Sequence, residues 1–283
     1  YTRRITRYHY TAAPGDRPGF YLYVRDRNTG TVWNPHFAPS CTELDRFECR
    51  HRPGHTAFTA TKDGVQITVA YGIPPEDDVL LWHVTVRNSG NSAASVQLAS
   101  FMEFGLLEFM REVLGWCYLK KQLSLEFDTD INAIRYDYHP FEAAYTPYML
   151  FGCTEPADSW ECSRDAFIGP SGSYGLPQAL KKGADLSNSQ LLLGGQPCSV
   201  IGVDMTLEPD AEKEVGYTFA LADTRGEAEV LMQSYSNPEA VRNGLDTIRD
   251  FWTARLDRMN VVSGDEAFDR AVNVWIPYNS MTV

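Results

Sequence analysis

The chain has 283 residues, 43% of them hydrophobic and 22% charged, which is the composition of a compact globular protein with room for a large core and an appendage. Its net charge of −12 argues against a nucleic-acid partner or an anionic membrane surface, because neutralising phosphates requires a basic face. No apolar run approaches the ~20 residues of a membrane-spanning helix.

The start, Tyr1-Thr2-Arg3-Arg4-Ile5-Thr6-Arg7, lacks the apolar stretch of a secretory signal and has no initiating methionine. It reads as the front of a piece cut from a longer protein. Six cysteines, Cys41, Cys49, Cys117, Cys153, Cys162 and Cys198, show no CxxC spacing in a chain too long to need disulfide staples. Free thiols in a reducing cytoplasm are expected.

Residues 1–222 are written as strands. Phe20 to Val24, Ala57 to Thr61, Val65 to Tyr71, Leu80 to Arg87 and Val96 to Phe104 alternate apolar with polar residues and are divided by Gly, Pro, Asn and Asp. Lys62-Asp63-Gly64 predicts a hairpin turn and Asn88-Ser89-Gly90-Asn91 a loop, since Asp-Gly and Ser-Gly supply the positive φ that tight reversals need. Val203, Met205 and Leu207, then Val215, Tyr217, Phe219 and Leu221, predict a further hairpin about Glu208 to Glu212. Successive hairpins imply a large, mainly β, antiparallel sandwich.

From residue 223 to 283 the apolar period lengthens to that of a helix. Thr224 with Glu227 and Ser263 with Glu266 fit capping boxes, and Asn237-Pro238 fits an N-cap with proline at the first helical position. Val241, Leu245, Ile248, Trp252, Leu256 and Met259 form one stripe. The last helix carries Phe268, Val272 and Trp275 and reads as a linker whose apolar face awaits a following domain; packing back on the sandwich is the alternative.

Chemistry is sparse along this chain. It has no phosphate-cradling glycine loop, no GxSxG elbow and no HExxH helix. His51 and His55 are four apart, but Pro53 and Gly54 forbid the helix that would aim both at one metal. Glu43 and Asp45 lie on one face of a strand-like segment and could act as paired carboxylates, although Arg46 and Arg50 offer structural ion pairs. Trp33, Trp116, Tyr118 and Trp160 could form an aromatic platform of a free-standing carbohydrate-binding module. In Trp116-Cys117-Tyr118-Leu119-Lys120-Lys121-Gln122, cationic and amide donors stand beside rings suited to stacking on a sugar.

The motifs Arg3-Arg4-Ile5-Thr6-Arg7-Tyr8, Asp16 to Asp26, Val32-Trp33-Asn34-Pro35, Thr42 to His51, Arg164-Asp165-Ala166-Phe167-Ile168-Gly169 and Ser263-Gly264-Asp265-Glu266 leading to Asn273-Val274-Trp275 resemble glycoside hydrolase family 94. These are the inverting β-glycoside phosphorylases of cellobiose, chitobiose and cellobionic acid. The resemblance implies an N-terminal super-β-sandwich, a helical linker and an (α/α) barrel carrying the catalytic acid, with only the first two in this chain and no catalytic residue assignable to it. It implies no cofactor, inorganic phosphate as co-substrate, a cytoplasmic homodimer and a disaccharide substrate. A sandwich loop following Met102-Glu103-Phe104 touches the acceptor sugar in such enzymes, which places Lys120, Lys121 and Gln122 at the acceptor subsite. Where cellobiose-type members have arginine beside glutamine and asparagine, this chain has Lys-Lys-Gln. That departure is similar to the cellobionic acid branch, whose gluconate carboxylate suits cationic and amide donors.

Overall fold

A computed structural model describes residues 4–6, 19–107, 123–138, 147–192, 194–258 and 260–282. Among them two antiparallel sheets face one another. The smaller contains β1 (Arg4–Thr6), β2 (Phe20–Asp26), β3 (Val32–Trp33), β8 (Ala94–Leu107), β12 (Ser159–Ser163) and β13 (Pro197–Leu207), in the order β12-β13-β8-β2-β3 with β1 also on β8. The larger runs β4 (Arg46–Arg52), β5 (His55–Lys62), β6 (Val65–Gly72), β7 (Val79–Asn88), β14 (Glu212–Ala222), β11 (Tyr148–Cys153), β10 (Ala133–Tyr138) and β9 (Leu123–Asp128).

The expected alternation sorts side chains between the layers. Trp82, Val84 and Val86 of β7 and Leu22 and Val24 of β2 point into the shared core, where they meet Ile67, Leu98, Phe151, Ile201 and Tyr217. Leu81 faces outward instead and packs under helices. Burial on both faces explains the unbroken run Cys198 to Val203 in β13: Cys198 and Val200 face out beneath residues 164–186, whereas Ile201 and Val203 face the core.

The turn at Asp63-Gly64 is a hairpin as predicted, with φ of 50° and 80° joining β5 to β6. The hairpin expected between β13 and β14 is not one. β13 pairs with β8 and β12, while β14 pairs with β7 and β11 in the other sheet. The loop after Asn88 likewise passes from β7 to β8 across the sandwich. The two crossings stack, and Asn88 joins them: its amide donates to Ser92 O (2.8 Å) and Leu207 O (2.9 Å), and Asp210 N donates to Asn88 O (2.8 Å). Alternating apolar residues around a compact turn are common to a hairpin and to an arch between sheets, so periodicity cannot choose between them.

Short α1 (Arg164–Phe167) follows β12. After β14 come α2 (Arg225–Ser234), α3 (Pro238–Leu256), and α4 (Glu266–Arg270) running through a π turn, Ala271–Trp275, into α5 (Ile276–Thr282). The Thr224–Glu227 capping box forms, and Asn237 caps α3 by accepting from Ala240 N at 2.9 Å. The box expected at Ser263 does not form. Asp265 caps α4, accepting from Ala267 N and Phe268 N, because Ser263 is turned to donate to Asp269 Oδ1 at 2.7 Å. The π turn lies just ahead of Pro277, which has no N–H to give the helix ladder.

The stripe of α3 buries Val241, Leu245 and Ile248 on the outer face of the larger sheet, at about 2 kcal/mol each. Glycines permit the approach. A Cβ on Gly72 would lie 2.5 Å from Ile248 Cδ1, and one on Gly216 2.7 Å from Val241 Cγ2. Beyond α3 the final helix touches the sheet through Tyr278, whose hydroxyl accepts from Gly54 N (3.1 Å) and whose ring lies 4.6 Å from that of Trp252. Phe268 and Ile276 remain more than half exposed.

Candidate functional site

Motifs far apart in sequence meet at the end of β8 where β2 begins. Met102 pairs with Phe20, and Glu103 N donates to Gly19 O. The Glu103 side chain is 1% exposed, a position a carboxylate occupies only when hydrogen bonds or an opposite charge compensate its lost hydration. Arg164 Nε lies 2.9 Å from Glu103 Oε1, and the Tyr174 hydroxyl donates to Glu103 Oε2 at 2.9 Å. Tyr174 also accepts from Arg164 Nε at 3.1 Å, and its carbonyl accepts from the Tyr23 hydroxyl at 2.8 Å.

The electrostatics follow from this packing. Burial pushes the Tyr174 phenol up to about 12, and the Glu103 charge adds to the shift, so this hydroxyl is a neutral donor at any physiological pH. Burial opposes the Arg164 charge, yet the Tyr174 hydroxyl and the Glu103 and Asp165 carboxylates hold its pKa above the usual arginine value. Around this centre Tyr21, Tyr23, Phe101 and Phe167 form an aromatic layer, with the Phe101 and Phe167 rings stacked at 5.2 Å.

The Trp33-Asn34-Pro35 segment serves the neighbouring loop. Asn34 Nδ2 donates to Leu22 O (2.8 Å), and Asn34 Oδ1 accepts from Ser40 N (3.0 Å). This fixes residues 34–41, whose Pro39 carbonyl lies against Gly175, next to Tyr174. Among the described residues the cluster is therefore a brace in which the buried Glu103 and Arg164 charges match one another, with no free acid and base beside them.

Lys120, Lys121 and Gln122 lie outside the described residues, as do Trp116, Cys117 and Tyr118. They belong to residues 108–122, which connect β8 of the smaller sheet to β9 of the larger. Of the expected platform, Trp33 is 2% exposed in the core and offers no ring face to a sugar, and Trp160 has one ring face stacked on Phe127 at 4.3 Å.

Glu43 and Asp45 are exposed and precede β4 rather than lying on a strand. Asp45 Oδ2 accepts from Asp63 N at 2.7 Å, which makes it a brace for the β5–β6 turn. His51 and His55 sit on the two arms of the β4–β5 hairpin. His51 contacts Cys49 Sγ (3.3 Å) and Thr56 Oγ1 (3.1 Å), and no cluster of three metal-ligating side chains occurs among the described residues. Cys41, Cys49, Cys153, Cys162 and Cys198 are free thiols.

Tyr174 was not singled out by the sequence reading. The available signal was Glu103, a lone charge within the apolar run of β8, which demands a buried partner.

The sequence profile described as "Glycosyl hydrolase 94, supersandwich domain" matches residues 1–238. An N,N'-diacetylchitobiose phosphorylase of Vibrio furnissii is 25% identical over 94% of this chain and 33% of its own length. A cellobionic acid phosphorylase of Neurospora crassa is 22% identical over 92% of this chain and 32% of its own. The chain thus spans about a third of these curated relatives. Among solved structures, a bacterial glucoamylase complexed with acarbose superposes with a TM-score of 0.53 at 8% identity, over 89% of this chain and 34% of that one; the likeness is one of fold.

Proposed function

The chain belongs to glycoside hydrolase family 94 through its supersandwich domain, and from that membership we propose that it is the N-terminal sandwich (1–222) and linker (223–283) of a disaccharide phosphorylase. The (α/α) barrel of the same protein supplies the chemistry. There an aspartic acid gives its proton to the glycosidic oxygen as that C–O bond breaks, while a phosphate oxygen attacks the anomeric carbon from the opposite face and yields α-glucose 1-phosphate with inversion. Phosphate takes the role that water and a base play in an inverting hydrolase.

The sandwich contributes scaffold, homodimer interface and an acceptor-side loop bearing Lys120, Lys121 and Gln122. The protein works in the cytoplasm, where phosphate is at hand, and uses no cofactor. The observation that carries this reading is the meeting of the family's separated motifs around Glu103 and Arg164, at the root of the connection that holds those three residues.

The substrate is a β-glucoside of the cellobiose or cellobionic acid type. Lys-Lys-Gln favours the latter, since two ammonium groups and an amide complement a gluconate carboxylate. Chitobiose is the competing substrate, because a relative bears that name.

The test incubates the full-length protein with phosphate and each of cellobionic acid, cellobiose and N,N'-diacetylchitobiose. Glucose 1-phosphate formed fastest from cellobionic acid is expected, with Lys120→Ala and Lys121→Ala raising the acceptor KM in the synthetic direction. Fastest turnover of chitobiose overturns the substrate, and cleavage without phosphate overturns the reaction class.

A further inference from the structure

The seat of α3 on the larger sheet contains a titratable side chain that the packing leaves without a firm partner. On β7 the core-facing Trp82 and Val84 leave His83 on the outer face with Leu81. The His83 side chain is 11% exposed, and its Nε2 is buried without a well-formed hydrogen bond. Glu214 Oε1 of β14 stands 3.6 Å from that nitrogen, beyond ordinary hydrogen-bond length.

Glu214 is already engaged from above. Arg242 Nη1 of α3 donates to both of its oxygens, at 2.7 and 2.6 Å. This pair ties the helix to the sheet one residue beyond Val241, which packs over Gly216. Gly216 is the residue opposite His83 in the β7–β14 register, so the histidine, the carboxylate and the helix contact share one small region. Among the described residues, the charges that act on His83 are Glu214 on β14 and Arg242 and Asp246 on α3. Its partner across the β6–β7 register is Ala70, which carries no charge.

Neutral His83 leaves this arrangement undisturbed. A proton on the ring puts a cation beneath the helix, close to a carboxylate that already serves Arg242. The two cations then compete for Glu214 and repel one another, and burial penalises the new charge further. Burial is the main cause that holds the His83 pKa below its ordinary 6.5; Glu214 and Asp246 raise it, and Arg242 adds to the lowering. Once α3 lifts, water reaches the ring and the penalty disappears. The lifted state therefore binds the proton more readily, so the contribution of neutral His83 to the seat is full above pH 6.5 and declines as the pH falls.

We propose that His83, Glu214 and Arg242 form a proton-operated latch, which keeps the first half of α3 on the sheet while the histidine is neutral and loosens it when the ring is protonated. α3 leads from the sandwich toward α4 and α5. The latch thus makes the coupling between the sheets and the following helices sensitive to acidification.

Hydrogen exchange of the full-length protein at pH 7.5 and pH 5.0 tests the latch, read as protection factors so that the intrinsic pH dependence of exchange cancels. In the wild type, protection of the amides of residues 241–248 is expected to fall on the order of tenfold at the lower pH, with a smaller change in β13. His83→Gln removes the titrating group and is expected to abolish most of the fall. Arg242→Gln leaves Glu214 free to match the protonated ring, so protection starts lower at pH 7.5 and falls less than in the wild type. His55, whose pKa burial also lowers, stays in all three proteins, so the differences between them isolate His83. Equal falls in wild type and His83→Gln overturn the latch, as does a fall of the same size in β13. An Arg242→Gln variant that keeps the full wild-type fall overturns the competition for Glu214 on which the latch depends. Exchange is read without substrate, so the result stands whether or not phosphorylase activity is found.

Discussion

Glu103 on β8 and Arg164 on α1 meet at 2.9 Å with the carboxylate side chain 1% and the guanidinium 15% exposed, so a buried charge pair welds the end of a central strand to the segment that covers the smaller sheet. Removing one partner of such a pair strands the other charge in a dry site. Glu103→Ala is expected to lower unfolding free energy by about 3 kcal/mol in urea titration. Glu103→Met with Arg164→Leu, which removes both charges, is expected to recover most of that loss. A double variant as unstable as the single one would show that packing, not charge, holds this joint.

The α3 seat makes a second prediction. Gly54 has φ of +79°, and a Cβ there would lie 2.5 Å from the indole of Trp252. Gly54→Ala therefore combines left-handed backbone strain with a clash against a large ring, and is expected to cost about 2 kcal/mol. Because Gly54 N also donates to Tyr278, limited proteolysis between α3 and α4 should accelerate in this variant, whereas cleavage within the sandwich should not.

The sandwich class was legible because strand alternation and turn chemistry are local. Val65 to Tyr71 and Asp63-Gly64 carry their own conformational instructions, as do Thr224 and Asn237 at helix starts. Sheet membership was not legible. Val203 and Val215 flank a short turn yet belong to different sheets, a fact decided by the pairings with β8 and β7 and by Asn88. Glu43 and Asp45 looked like a carboxylate pair because spacing reports a shared face but not whether a turn amide already uses the oxygen.

His36 gives the fold a dependence on pH. Its Nε2 is 2.6 Å from the Tyr71 hydroxyl and its ring packs against Phe58, with Nδ1 buried. Burial lowers its pKa to about 3 from an ordinary 6.5. The unfolded chain therefore binds a proton more readily between those values, so the contribution of neutral His36 is full above pH 6.5 and is lost as the pH falls. Unfolding free energy is expected to drop between pH 7 and pH 5 by about 2 kcal/mol more in the wild type than in His36→Gln. His55 and His83 are lowered by burial as well and act in the same direction in both proteins, so the difference isolates His36. Parallel pH profiles would mean that the ring gains access to water when charged.

Glu161 supplies the last prediction, because it is a fully buried carboxylate without a cationic partner among the described residues. Its oxygens accept from Cys162 N and Ser163 N at 3.0 Å each and from the Ser187 and Ser189 hydroxyls. Hydrogen bonds alone thus compensate its desolvation, and they strap residues 187–189 to β12. Glu161→Gln keeps the shape but replaces one acceptor oxygen by an NH₂ group facing hydroxyls and amides that have been donating. A loss of about 2 kcal/mol is expected, with hydrogen exchange rising first at Ser187 and Leu191 and leaving β7 and β14 protected. Uniform loss of protection across both sheets would instead make this strap part of the sandwich's single cooperative unit.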